Sequence, residues 1–172
     1  MKKIIFSLFV LLLPFASFAD PTVFGLTLGK TTEKETSDLY NGYSSLGENI
    51  YSHGNMYNIP VKDIPFDGLK EVTTIFDGNG LLVAVLAKFP KEKFNYINSS
   101  LKQKYKLISQ QIPFVGNKFT KYSNGGTQIL LDAPHLSFEM TLSYLRTDFY
   151  NDYKKQISVE GQKKSAAEKN QL

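Results

Sequence analysis

Several side-chain groupings in this sequence have types or spacings that could do chemistry. Ser99-Ser100-Leu101-Lys102 sets a serine three residues before a lysine. On a helix that spacing puts a nucleophile and a lysine on one face, as in serine acyl-transfer enzymes. The Ser-Asp-Asn and Lys-Thr-Gly segments that work with it there do not occur, so the pair reads as a solvated helix face. His53 and His135 are the only histidines, and Asp132 and Glu139 flank the second. A metal would need both imidazoles and a carboxylate to converge. Asp132-Ala133-Pro134-His135 reads more simply as a turn, with Asp favouring the turn and His at its tip. No Gly-x-Ser-x-Gly elbow positions a hydrolytic serine. Cysteine is absent, which excludes thiolate chemistry and a disulfide framework. The sequence therefore predicts no catalytic residue, no metal and no cofactor.

The remaining candidates are binding residues. Tyr51, His53, Met56 and Tyr57 sit in an irregular stretch, Glu48 to Asp67, without helical or strand spacing. Aromatic and methionine side chains are enriched at protein interfaces. These four are the predicted partner-binding residues, set against the plainer reading that they pack the loop onto a sheet edge. Lys102, Lys104 and Lys106 alternate and cannot share one helical face. They read as solubilising, with Lys106 at the negative end of a helix dipole; contact with anionic headgroups or cell-wall polymers is the weaker alternative.

The elements that must position these residues centre on Leu69 to Tyr105. Leu81 to Ala87 is uninterrupted apolar sequence, the pattern of a strand covered on both faces. Strict alternation would put Leu82, Ala84 and Leu86 on one face, and Leu81, Val83 and Val85 on the other. Asp77-Gly78-Asn79-Gly80 supplies a hairpin turn before it. After Pro90, Phe94, Ile97, Leu101 and Tyr105 form one helical stripe. Upstream, Phe24 to Gly29 reads as a short strand. Thr32 and Glu35 have capping-box spacing and open a helix to about Ser45, with Leu39, Tyr43 and Leu46 as its buried stripe. A short edge strand is expected at Met56 to Val61. Downstream, Leu107 to Asn117 reads as an irregular crossing. Lys118 to Ser123 and Thr127 to Asp132 form a hairpin about Asn124-Gly125-Gly126. Phe138, Met140, Leu142 and Tyr144 mark a half-buried strand. The expected class is α+β: an antiparallel sheet with two helices packed on it, and a possible duplicated helix-plus-hairpins unit.

Lys2 and Lys3, the apolar run Ile4 to Phe15 and the small residues Ser17 and Ala19 have the form of a signal peptide cleaved after Ala19. Segment 1–19 holds two lysines and no acid, so the exported chain carries +2 of the formal +4. Charge and compartment both disfavour nucleic acid. The expected organisation is a signal peptide at 1–19, one globular domain at 20–150 and a polar tail at 151–172. The mature chain is expected to have no transmembrane anchor and to reside in the periplasm.

Phe24-Gly25-Leu26-Thr27-Leu28-Gly29 followed by a capped helix resembles the opening of small exported bacterial domains, such as the outer-membrane assembly lipoproteins of the BamE/SmpA type. The resemblance implies helices packed on an antiparallel sheet and work done by binding other envelope proteins. The chain lacks the lipoprotein cysteine, and no functional residue carries over. The function expected from the sequence is a non-catalytic binding or adaptor domain for another envelope or secreted protein. The alternatives are a small periplasmic hydrolase or a cell-wall glycan binder.

Overall fold

The computed structural model describes residues 20–170; the predicted signal peptide and cleavage site at 1–19 lie outside them. The central hairpin forms as its sequence requires. β5 (Glu71–Asp77) and β6 (Leu82–Pro90) pair antiparallel across the turn that follows Asp77. Asp77 Oδ1 accepts from the backbone N–H groups of Asn79 (2.9 Å) and Leu81 (3.0 Å), which closes that turn. α2 (Phe94–Lys104) follows, and Phe94, Ile97 and Leu101 are its buried stripe.

Around this hairpin the architecture departs from the expected α+β arrangement of two helices on a sheet. Strands dominate. Eight form one antiparallel sheet in the order β3-β4-β5-β6-β10-β9-β8-β7. Its other members are β3 (Ser44–Glu48), β4 (His53–Ile59), β7 (Lys106–Gln111), β8 (Lys118–Asn124), β9 (Thr127–Ala133) and β10 (Glu139–Arg146). A separate two-stranded hairpin joins β1 (Thr22–Val23) to β2 (Leu26–Thr27), so Phe24 and Gly25 make a turn inside the expected first strand. Among the described residues, three α-helices accompany the sheets: α1 (Glu33–Leu39), α2, and the 23-residue α3 (Thr147–Lys169). The expected duplicated unit is corrected with the rest. Two four-strand meanders do meet at the β6–β10 seam, but β1–β2 and α3 have no counterpart across it.

The reasons are local. Thr32 and Glu35 form the capping box, yet α1 stops at Leu39, and Gly42, at φ +83°, turns the chain into β3. Leu39, Tyr43 and Leu46 are therefore exposed instead of forming a buried stripe. β4, expected at an edge, lies inside the sheet; β3 and β7 are the edges. Of the expected irregular crossing at 107–117, residues 107–111 belong to β7 and residues 112–117 form an irregular connection to β8. Phe138 precedes β10 and is exposed, whereas Met140, Leu142 and Tyr144 are buried. The polar stretch from residue 151 is helical and continuous with α3.

Two apolar layers lie on either side of the sheet. The larger holds Leu82, Val85, Ala87 and Phe89 of β6 beneath α2, the β1–β2 hairpin and the segment after β4. The smaller holds Val83 and Ala84 with Ile75, Leu145 and, from α3, Phe149 and Tyr150. Both faces of β6 are thus covered, but strict alternation fails. Ile75 pairs with Ala84 and Phe76 with Leu82, leaving Val83 as the extra residue of a β-bulge. The bulge puts Leu82 on the face of Val85 and moves Val83 beside Ala84.

Candidate functional site

The strand ends create two loop clusters, one at each end of the sheet. The first contains the β3–β4 turn, the β5–β6 turn and the start of α3. Asn49 Oδ1 accepts from the N–H groups of Tyr51 (2.9 Å) and Ser52 (3.0 Å), an Asx turn that fixes the β3–β4 connection. His53 then takes φ +55°. Gly54 lies so close to β5 that a Cβ there would stand 2.3 Å from the carbonyl oxygens of both Phe76 and Asp77. Only glycine fits.

A surface cavity of about 300 Å³ opens beside this turn, lined by Tyr51, Ser52, His53, Asp77, Arg146 and Asp148, among others. Arg146 Nε donates to Asp148 Oδ1 at 3.1 Å, and its Nη2 pairs with Oδ2. The guanidinium's hydrogen bond holds the Asp148 carboxyl below its ordinary range, with further help from the N–H of Phe149. The reciprocal bond raises Arg146. Ser52 Oγ is buried and has no hydrogen-bond partner. Ser52 and His53 line this cavity with Asp77 and Asp148, and no hydrogen bond joins the serine to the histidine. Among the described residues, no group of His, Asp and Glu is arranged to hold a metal.

The four predicted partner-binding residues separate. Tyr51 packs edge-on against Tyr153 of α3, with ring centroids 4.9 Å apart, and His53 is exposed beside it on the cavity wall. Met56 turns to the smaller apolar layer, where Asn49 Nδ2 lies 3.3 Å from its sulfur. Tyr57 lies on the opposite face, against the larger core. Its hydroxyl donates to Glu33 Oε2 at 2.7 Å, and its ring meets Tyr43 edge-on at 4.9 Å. The bond to Glu33 pushes the Tyr57 phenol up to about 12. Tyr51 and His53 thus share a surface. Met56 and Tyr57 pack their strand to the two layers.

Two groups of exposed apolar residues escaped the sequence reading. Leu39, Tyr43, Leu46 and Ile50 run from the end of α1 along β3 to the β3–β4 turn, all exposed, and β3 is exposed along its whole length. Their spacing was helical, which disguised them as core. The second group lies at the opposite end of the sheet, in the β7–β8 and β9–β10 loops. Phe114 is 103% exposed, Leu136 93%, Phe138 91% and Val115 66%. Pro113 and Pro134, beside the two loop tips, were the available sequence signal. The serine and lysine of Ser99–Lys102 lie on α2, where only the intervening Leu101 is buried.

No helix among the described residues is long and apolar enough to cross a membrane. Compared with known proteins, the chain matches no family model, no curated sequence and no solved structure.

Proposed function

We propose that this chain is a non-catalytic binding domain of the bacterial envelope, exported with cleavage after Ala19, whose partner is another envelope protein. The observation that carries the reading is Leu46 on the open β3 edge and Ile50 at the turn that follows it, both exposed. Exposed apolar side chains on an unpaired sheet edge support an interaction site. Tyr51 and His53, at the adjoining turn, extend it, and tyrosine is a type enriched at interfaces. The signal-like start and the resemblance of residues 24–29 to BamE/SmpA-type domains support the compartment.

The test compares the exported chain with a Leu46→Asp/Ile50→Asp variant as bait in intact envelope extract. Both side chains are exposed, so the variant should melt within a few degrees of wild type. It should lose a partner that wild type captures and that cross-links through position 50. Equal capture by both baits would remove the β3 edge from consideration. Mass spectrometry of the periplasmic protein should find Asp20 as its first residue, and a chain that keeps Met1 in the cytoplasm would overturn the export reading.

A further inference from the structure

The end of the sheet remote from the β3–β4 turn carries the second apolar group. Phe114 and Val115 lie in the loop from β7 to β8, and Leu136 and Phe138 in the loop from β9 to β10. The two loops are fastened to each other and to the start of α2. Asn117 Oδ1 accepts from the N–H of His135 at 2.7 Å. Lys91 donates its backbone N–H to the Phe138 carbonyl at 2.8 Å. Its Nζ donates to the carbonyls of Pro134 and His135, the latter at 2.9 Å. Rigid backbone thus holds out side chains that touch almost nothing of their own fold. An aromatic ring fully in water at a fastened loop tip contributes nothing to this domain's core, so its value lies in what it meets.

Shape and charge together select the occupant. A protein partner would need a matching pocket for each protruding side chain. A lipid surface accepts protruding apolar groups without one. Neither loop contains an acid. Lys91 and Lys118 border the loops, and neither pairs with a carboxylate among the described residues. The acids flanking the loops are Glu92, Asp132 and Glu139, and Lys70 holds Glu139 at 2.8 Å. Protruding apolar side chains on acid-free loops, with the charges of Lys91 and Lys118 beside them, match an acyl-chain boundary beneath anionic headgroups.

We propose that the β7–β8 and β9–β10 loops form a membrane-seating tip, which inserts Phe114, Leu136 and Phe138 into the interface of an anionic lipid surface. The tip lies at the other end of the sheet from the proposed protein-binding edge and does not depend on it.

The chain contains no tryptophan, so Phe114→Trp gives a single indole at the tip, and Tyr51→Trp gives one at the opposite end. Each exported variant is mixed with phosphatidylglycerol–phosphatidylethanolamine vesicles carrying brominated acyl chains, and with neutral phosphatidylcholine vesicles. The Phe114→Trp emission should shift to the blue and be quenched by the anionic brominated vesicles. The effect should be weaker on neutral vesicles or in high salt. The Tyr51→Trp emission should not change. Adding Phe138→Ser to the Phe114→Trp variant should lower vesicle partitioning by about tenfold or more. An unchanged Phe114→Trp emission would overturn the proposal. So would equal quenching at both ends, which would mean adsorption without orientation. A blue shift that grows with protein concentration in the absence of vesicles would also overturn it, because a second copy would then cover the tip.

Discussion

Deleting one residue of β6 tests the bulge that sets which side chains face which layer. With Val83 removed, Leu82 and Ala84 become neighbours, and their partners Phe76 and Ile75 already are neighbours. Every other β6 side chain keeps its face. The loss is the buried Val83 side chain, about 1.5–3 kcal/mol. One fewer residue must be ordered, which returns roughly 1–2 kcal/mol. The net cost should be about 2 kcal/mol or less, a fall in melting temperature of under about 8 °C for a domain of this size.

Deleting Lys88 makes the opposite case, although its side chain is only half-buried. The bulge can absorb that loss only by moving residues 83–87 one place along, which exchanges their faces. Leu86 then takes the site of Ala87, which is 1% exposed, and overpacks it at roughly 1–3 kcal/mol. Ala84 takes the site of Val85 and leaves a void of the Val-to-Ala kind, and Val85 is displaced from the larger core. The sum, with the Lys88–Glu71 ion pair also lost, should exceed about 4 kcal/mol. Thermal unfolding followed by circular dichroism, run on both deletions, reads the difference. Removing the buried residue should thus be milder than removing the half-exposed one. The reverse order, or loss of a cooperative transition on deleting Val83, would refute the bulge.

Two further outcomes follow from particular contacts. Thr32→Ala removes the side-chain half of the capping box on α1 and should cost about 1 kcal/mol in denaturant unfolding, while Thr32→Ser should keep most of it. The Tyr57 phenol is raised above its unfolded value of 10.0, so its bond to Glu33 contributes stability that is complete below pH 10 and lost as pH climbs through about 12. Wild type should therefore lose stability over that window more steeply than Tyr57→Phe, and tyrosinate absorbance should show one fewer late-titrating group in the variant.

The parts of this fold that were legible in the sequence are those whose signals are local. Asp77-Gly78-Asn79-Gly80, the unbroken run after it and the Phe94–Ile97–Leu101 stripe each state their structure within a dozen residues. The Asn124-Gly125-Gly126 turn does so too. β3 and β7 could not be read that way. Ser-Ser-Leu-Gly-Glu and Lys-Leu-Ile-Ser-Gln-Gln are strands only because a neighbour pairs with them, and an edge strand facing water needs no apolar alternation. Phe138 continued the period of β10 by one residue, and nothing local marks where such a period stops being structural. The candidate site failed for a related reason. Successive strand residues point to opposite faces, so the neighbours Met56 and Tyr57 could never share one surface once β4 was a strand inside the sheet. The exposed apolar groups were hidden because composition cannot distinguish a phenylalanine that fills a core from one that stands in water.

The two proposed surfaces also constrain each other through the strands that separate them. β6 has nine residues, about 30 Å at a typical rise per residue, and it links the two ends of the sheet through the middle of the domain. A domain seated by Phe114, Leu136 and Phe138 would carry the Leu46–Ile50 edge and its turn outward from the lipid headgroups by about that length. A partner bound there would meet the domain clear of the headgroups. The sheet's eight strands form one continuous antiparallel ladder. If the two ends are separate sites joined by this ladder alone, binding at one end should leave intrinsic affinity at the other unchanged. The gain from having both is concentration. A soluble partner gains only recruitment to the surface. A partner already held in the same membrane is searched for in two dimensions, and capture then rises without any new contact. The Leu46→Asp/Ile50→Asp variant should accordingly keep wild-type vesicle partitioning. Phe114→Ser with Phe138→Ser should keep wild-type affinity for the partner free in solution, yet lose much of its capture of that partner on vesicles. A loss of partner affinity in solution from the tip variant would show that the two ends are one site.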